Sequence, residues 1–115
     1  MARLAALVNR PSDNDAADSM LRLIGARVAD KGSRAGGAGV ISRTMTARFG
    51  LAPDIRTGSG ETIEDRTSPR ELVGLLTGMR GLPQGPAFAG SLPLAGRNGT
   101  LLQDAIVKAL AGYQG

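Results

Sequence analysis

A chain of 115 residues suffices for one domain but not for two, and with 42% hydrophobic, 3% aromatic and 17 glycine residues it predicts a thin core of small aliphatic side chains. Cysteine and histidine are both absent, which excludes disulfides, thiolate and classical zinc sites, and catalysis by Ser-His-Asp or Cys-His. The formal charge of +4, from 14 basic and 10 acidic residues, argues for no nucleic-acid partner, because the arginines are dispersed and no aromatic residues interleave with them.

The N-terminal stretch from Met1 to Val8 is too short for a secretory signal and is soon interrupted by Asn9-Arg10-Pro11. No apolar run approaches the roughly 18 residues of a membrane span. Leu4, Leu7 and Val8 recur at spacings of three and four, so Ala2 to Asn9 is expected to form a short helix that stops before Pro11. A second helix is predicted over residues 13 to 29, where Ala16, Ala17, Met20, Leu21, Ile24 and Val28 form an apolar stripe. Asp18 and Arg22 are expected to pair across one turn on another face.

Ser12 opens that helix, and two roles compete for it. Followed three residues later by Asp15, it fits an N-cap whose hydroxyl accepts a backbone N–H of the first turn. Taken by themselves, residues 12 to 15 favour the cap, a role worth about 1 kcal/mol that needs no chemistry.

Lys31 to Gly39 is a Gly-rich connection lacking both the Gly-x-x-x-x-Gly-Lys phosphate loop and the Gly-x-Gly-x-x-Gly fingerprint, so no cofactor is expected there and the stretch reads as a linker into a helix. That helix spans 35 to 49, with Ala38, Ile41, Met45 and Phe49 on one face and Gly50 as its stop. Leu51 to Thr62 reads as loop, with one brief extended candidate at Asp54 to Thr57. Ser68-Pro69-Arg70-Glu71 forms a capping box that launches a helix over 69 to 80, bearing Leu72, Val73, Leu75, Leu76 and Met79. Gly81 to Gly99 is expected to be ordered loop with at most a short turn of helix, anchored by Phe88, Leu92 and Leu94. A closing helix is predicted over 101 to 112, with Leu102, Ile106, Ala109, Leu110 and Tyr113 as its stripe. The fold class is therefore mainly α, four or five short helices with one irregular loop region.

Three separated blocks point further. Ser12-Asp13-Asn14 is the second of three motifs used by serine acyltransferases of the penicillin-binding and class A β-lactamase kind. The run Arg10 to Gly25 resembles the helix entry after the Ser-x-Asn motif of class C low-molecular-mass penicillin-binding proteins, which are D-alanyl-D-alanine carboxypeptidases and endopeptidases. Gly58-Ser59-Gly60 followed by Asp65 to Val73 resembles that family's Asp-Gly-Ser-Gly segment and the helix after it. Ser91 to Leu101 resembles its Leu-Pro-x-Ala-Gly-x-x-Gly-Thr/Ser-Leu run. The order and approximate spacing are the family's.

The resemblance implies a single partial domain, with residues 1–101 as the Ser-x-Asn helical region of the β-lactamase/penicillin-binding α/β fold, lacking most of its sheet, joined to the closing helix at 102–115. It also implies catalytic roles for two residues: Ser12 would relay a proton toward the leaving amine, and Asn14 would donate its amide to the substrate's peptide carbonyl. The substrate implied is a peptidoglycan stem peptide or a β-lactam, and the place of work is periplasmic or extracellular. The pattern also departs from the family. Thr57 and Glu61 flank the Gly-Ser-Gly turn where the family has aspartate and leucine, and Ser59 reads better as a turn serine. No serine begins Ser-x-x-Lys, and neither Lys31 nor Lys108 begins Lys-Thr-Gly. An inactive portion of such an enzyme is one reading, with the missing part of the same enzyme or self-association supplying its partner. The other is a small basic helical interaction module without catalysis, binding through apolar faces.

Overall fold

The computed structural model describes residues 1–94 and 97–100. They form five helices and no strand: α1 (Ala2–Asn9), α2 (Asn14–Ala29), α3 (Arg34–Phe49), α4 (Pro69–Arg80) and α5 (Gly85–Ser91). The mainly helical class is the expected one, while the closing helix predicted over 101–112 lies outside the described residues. Two compact units are present, one of Asn14–Pro83 and one of Met1–Asp13 with the described residues from Gln84 onward.

In the Asn14–Pro83 unit, α2 and α3 pack closely because glycine lines their crossing. A Cβ added to Gly37 would sit 2.0 Å from the Leu21 carbonyl oxygen, and one added to Gly25 would sit 2.3 Å from that of Lys31. Such distances leave no room for a methyl group. Gly36 and Gly37 fall within the helix expected over 35–49 and belong to the first turn of α3, which Ser33 caps by accepting the Gly36 N–H at 3.0 Å. The apolar centre is small, as the scarcity of aromatics implies: Leu21 is 1% exposed, with Ala38 and Val40 also buried. Burying Leu21 alone contributes about 1.5–3 kcal/mol. Val28, placed on the same stripe by periodicity, is instead exposed.

Gly50 ends α3 in the left-handed conformation, with φ 64° and its N–H on the Met45 and Thr46 carbonyls, as its position after Phe49 predicts. The capping box of α4 forms in full. Ser68 Oγ accepts the Glu71 N–H at 3.1 Å, and Glu71 Oε2 accepts the Ser68 N–H at 2.9 Å. Gly74 and Gly78 of α4 lie against Leu51 and Phe49, whereas Leu72, Val73 and Leu76 stay exposed. The extended candidate at Asp54–Thr57 reduces to a single antiparallel bridge, Asp54 with Arg66, whose two N–H···O bonds are both 2.8 Å.

In the other unit α1 packs on α5, a seven-residue helix within a stretch expected to be ordered loop with at most a short turn of helix. Asn9 Nδ2 donates to Ser91 Oγ at 2.9 Å, and that hydroxyl donates to the Phe88 carbonyl at 2.7 Å, so Ser91 is buried with its polar atom satisfied. Val8 is the buried residue of α1, while Leu4 and Leu7 remain exposed.

The α2–α3 crossing sets an opposition between helix propensity and packing. Replacing a helix-interior glycine by alanine gains up to about 1 kcal/mol of propensity, but Gly37→Ala should lose about 1–3 kcal/mol net because backbone must shift. Gly39 meets only the flexible Arg43 side chain at 3.2 Å. Gly39→Ala should therefore be neutral to stabilising, and urea denaturation of the two variants measures the contrast.

Candidate functional site

The Ser12-Asp13-Asn14 motif lies at the turn from α1 into α2. Ser12 is exposed and takes φ 55°, its N–H donating to the Asn9 carbonyl at 3.2 Å, and Asp13 N–H closes on the Val8 carbonyl at 3.0 Å. This left-handed backbone corrects the capping role expected of Ser12. An N-cap is normally extended; moreover, α2 begins at Asn14, so Asp13 and not Ser12 is the residue immediately before it.

Asn14 is the first residue of α2, and its side chain leaves the helix for the loop that follows α3. Asn14 Nδ2 donates to Glu61 Oε1 at 2.7 Å. One turn farther along, on the same helix face, Asp18 reaches the same loop. Its Oδ1 accepts the backbone N–H groups of Gly58 at 2.7 Å and Ser59 at 3.3 Å, and its Oδ2 accepts Arg34 Nη2 at 2.6 Å. The Asp18 partner is thus Arg34 at the start of α3, not Arg22 one turn away as spacing had suggested. Gly58 comes so near α2 that a Cβ there would lie 2.4 Å from the Ala17 carbonyl oxygen. The absence of a side chain is what permits this approach.

A second carboxylate holds the loop from within. Asp65 Oδ1 accepts the N–H groups of Arg56 at 2.6 Å and Thr57 at 3.1 Å, while its Oδ2 accepts the Thr57 hydroxyl. Thr57 Oγ1 in turn accepts the Gly60 N–H at 3.0 Å. Ser59 Oγ accepts the Glu61 N–H at 3.4 Å, in keeping with a turn serine. The 57–61 segment is therefore held between Asp18 and Asp65, and it carries Glu61 to the Asn14 amide. The loop-holding role of Asp18 and Asp65 is not evident in the sequence. The available signal was the i, i+4 relation of Asp18 to Asn14, but its partners lie 40 and 41 residues away in the chain.

A shallow cleft of about 460 Å³ runs along the loop and is lined in part by Ile41, Ile55, Gly58, Ser59 and Gly60. A larger one of about 760 Å³ lies between Ala52, Ile63 and Glu71, and neither Ser12 nor Asn14 lines it. Among the described residues no group of three or more acidic residues is arranged to hold a metal ion. No helix among them is long and apolar enough to cross a membrane.

Residues 1–113 match the model of the D-Ala-D-Ala carboxypeptidase 3 (S13) family. The chain belongs to that family. Neither the curated proteins nor the solved structures include a match.

The two loop-holding carboxylates carry a pH dependence. The Gly58 N–H, then Arg34 and the Ser59 N–H, hold the Asp18 carboxyl below its ordinary value of 3.8, although partial burial opposes this. Burial acts most strongly on Asp65, but the Thr57 hydroxyl, the Arg56 and Thr57 N–H groups and the Arg56 charge together outweigh it and lower that carboxyl also. For a depressed carboxyl the stabilisation is fully present above the unfolded-state value and is lost as pH falls through the folded-state value. Stability should therefore drop on acidification below about pH 5, and Asp18→Asn should show a smaller drop over that range. Urea midpoints measured across a pH series test this.

Proposed function

We propose that this chain is the Ser-x-Asn helical portion of a serine-type D-Ala-D-Ala carboxypeptidase of the class C low-molecular-mass penicillin-binding kind, acting on peptidoglycan stem peptides outside the cytoplasmic membrane. We take it as a single partial domain that has no turnover by itself. Membership of the S13 family over residues 1–113 supports this reading. The observation that carries it is the 2.7 Å bond from Asn14 to Glu61, which joins the asparagine of the Ser-x-Asn motif to the residue that follows the Gly58–Gly60 turn. Two of the three blocks that resemble the family thereby meet, although they are far apart in sequence.

The chemistry in question is acyl transfer. A serine hydroxyl attacks the peptide carbonyl after a nearby lysine amine takes its proton, and the amine of the terminal D-alanine leaves. Within that scheme Ser12 passes a proton between those groups and the leaving amine, and Asn14 donates an N–H to the peptide carbonyl. Neither residue can act without the nucleophile, and none of the 115 residues forms Ser-x-x-Lys or Lys-Thr-Gly. Removing the nucleophile alone costs on the order of a millionfold in one serine protease.

The purified chain should neither hydrolyse nitrocefin nor release D-alanine, and it should not become labelled by fluorescent penicillin. Stoichiometric acylation would overturn the inactive part of the proposal. A second reading, a helical interaction module, is favoured by the apolar side chains of α4, where Leu72, Val73 and Leu76 are 49%, 62% and 45% exposed. Light scattering after size exclusion separates the two, since a clean monomer with low binding of a hydrophobic dye removes the interaction module.

A further inference from the structure

The amide that the acyl-transfer scheme assigns to substrate is already engaged by the protein. Asn14 Nδ2 carries two hydrogens, and one of them is donated to Glu61 Oε1 at 2.7 Å. The acceptor is a carboxylate, and a hydrogen bond to a charged acceptor is stronger than one to a neutral peptide carbonyl. The backbone that bears Glu61 is not free to drift. Asp18 holds the N–H groups of Gly58 and Ser59, Thr57 Oγ1 holds that of Gly60, and Ser59 Oγ holds that of Glu61 itself. Gly58 in turn has no space for a side chain against Ala17. Yet the Glu61 side chain is exposed, so it can swing away while its backbone stays fixed.

We propose that Glu61 is a specificity-determining latch on Asn14, an internal acceptor that competes with a ligand carbonyl for the amide and fixes its orientation. The family pattern has leucine at this place, a residue with no side-chain acceptor, so the latch is a property of this chain. It rests on the reading of Asn14 as the ligand-facing donor. Because the pair is exposed, the effect is modest: removing the acceptor should tighten binding about two- to fivefold, the range that an exposed charged contact supplies.

The test uses the full 15N-labelled chain, following the Asn14 side-chain NH2 resonances in wild type, Glu61→Leu and Glu61→Gln during titration with N-acetyl-D-Ala-D-Ala, with the L-Ala-L-Ala peptide as control. The backbone resonances of Leu21 and Gly37 report whether each variant keeps the α2–α3 packing. In the free proteins the Asn14 resonances should differ between wild type and Glu61→Leu. On titration they should move at about two- to fivefold lower D-peptide concentration in Glu61→Leu, with Glu61→Gln, which retains a neutral acceptor, lying between. Identical free-state resonances overturn the latch. So does equal or weaker binding by Glu61→Leu, while leaving Asn14 as a ligand-facing donor. If Asn14 responds to the D-peptide in none of the three proteins, its assignment as ligand donor falls and the latch falls with it.

Discussion

The contact on which the Asn14–Pro83 unit depends is backbone against backbone at the α2–α3 crossing. Gly37 faces the Leu21 carbonyl and Gly25 faces the Lys31 carbonyl at distances that no Cβ could occupy. Closeness of this kind compensates for a shortage of large side chains, because dispersion between atoms in contact falls off steeply with separation. It also has an electrostatic consequence. Arg34, at the first position of α3, comes within 2.6 Å of Asp18 on α2, and so one Asp18 oxygen is held by the guanidinium while the other remains for the loop.

The link from packing to the candidate site passes through Asp18. Its carboxylate accepts the Gly58 and Ser59 N–H groups in place of water and so fixes the path of the loop against α2. Asp65 performs the same service from the far side of the loop, through Thr57. The loop has almost no regular secondary structure beyond the Asp54–Arg66 bridge. Side-chain carboxylates therefore do the work of a hydrogen-bond ladder, and a segment that looks unstructured in composition has a definite path.

Membership of the S13 family gives this arrangement a context. Asn14 stands at the start of α2 with its side-chain amide directed at a loop held by two carboxylates. What distinguishes this chain is the company Asn14 keeps. The Glu61 carboxylate faces it, and Thr57 stands before the Gly58–Gly60 turn. Thr57 still donates to a carboxylate and accepts from Gly60, so it holds the turn without adding charge of its own.

Much of the helical framework was legible from the amino-acid order, because it depends on local rules. The 3.6-residue period marked α1 through α4 nearly to the residue, Gly50 marked a left-handed stop, and Ser68 with Glu71 marked a reciprocal cap. Where local rules were ambiguous they misled. Ser12 has the composition of a cap but stands one residue too far out, and Asp18 has a cation one turn away yet binds another. For Asp18 the deciding partners, Arg34, Gly58 and Ser59, are distant in the chain, whereas Ser12 is set by a local turn closed on the Asn9 and Val8 carbonyls. The sequence by itself determined which residues wind into helices and that Ser12 and Asn14 share a motif. Only the tertiary structure decided that Asn14 meets Glu61, since the energy of that contact depends on a loop path set by carboxylates and close backbone packing that no local pattern records.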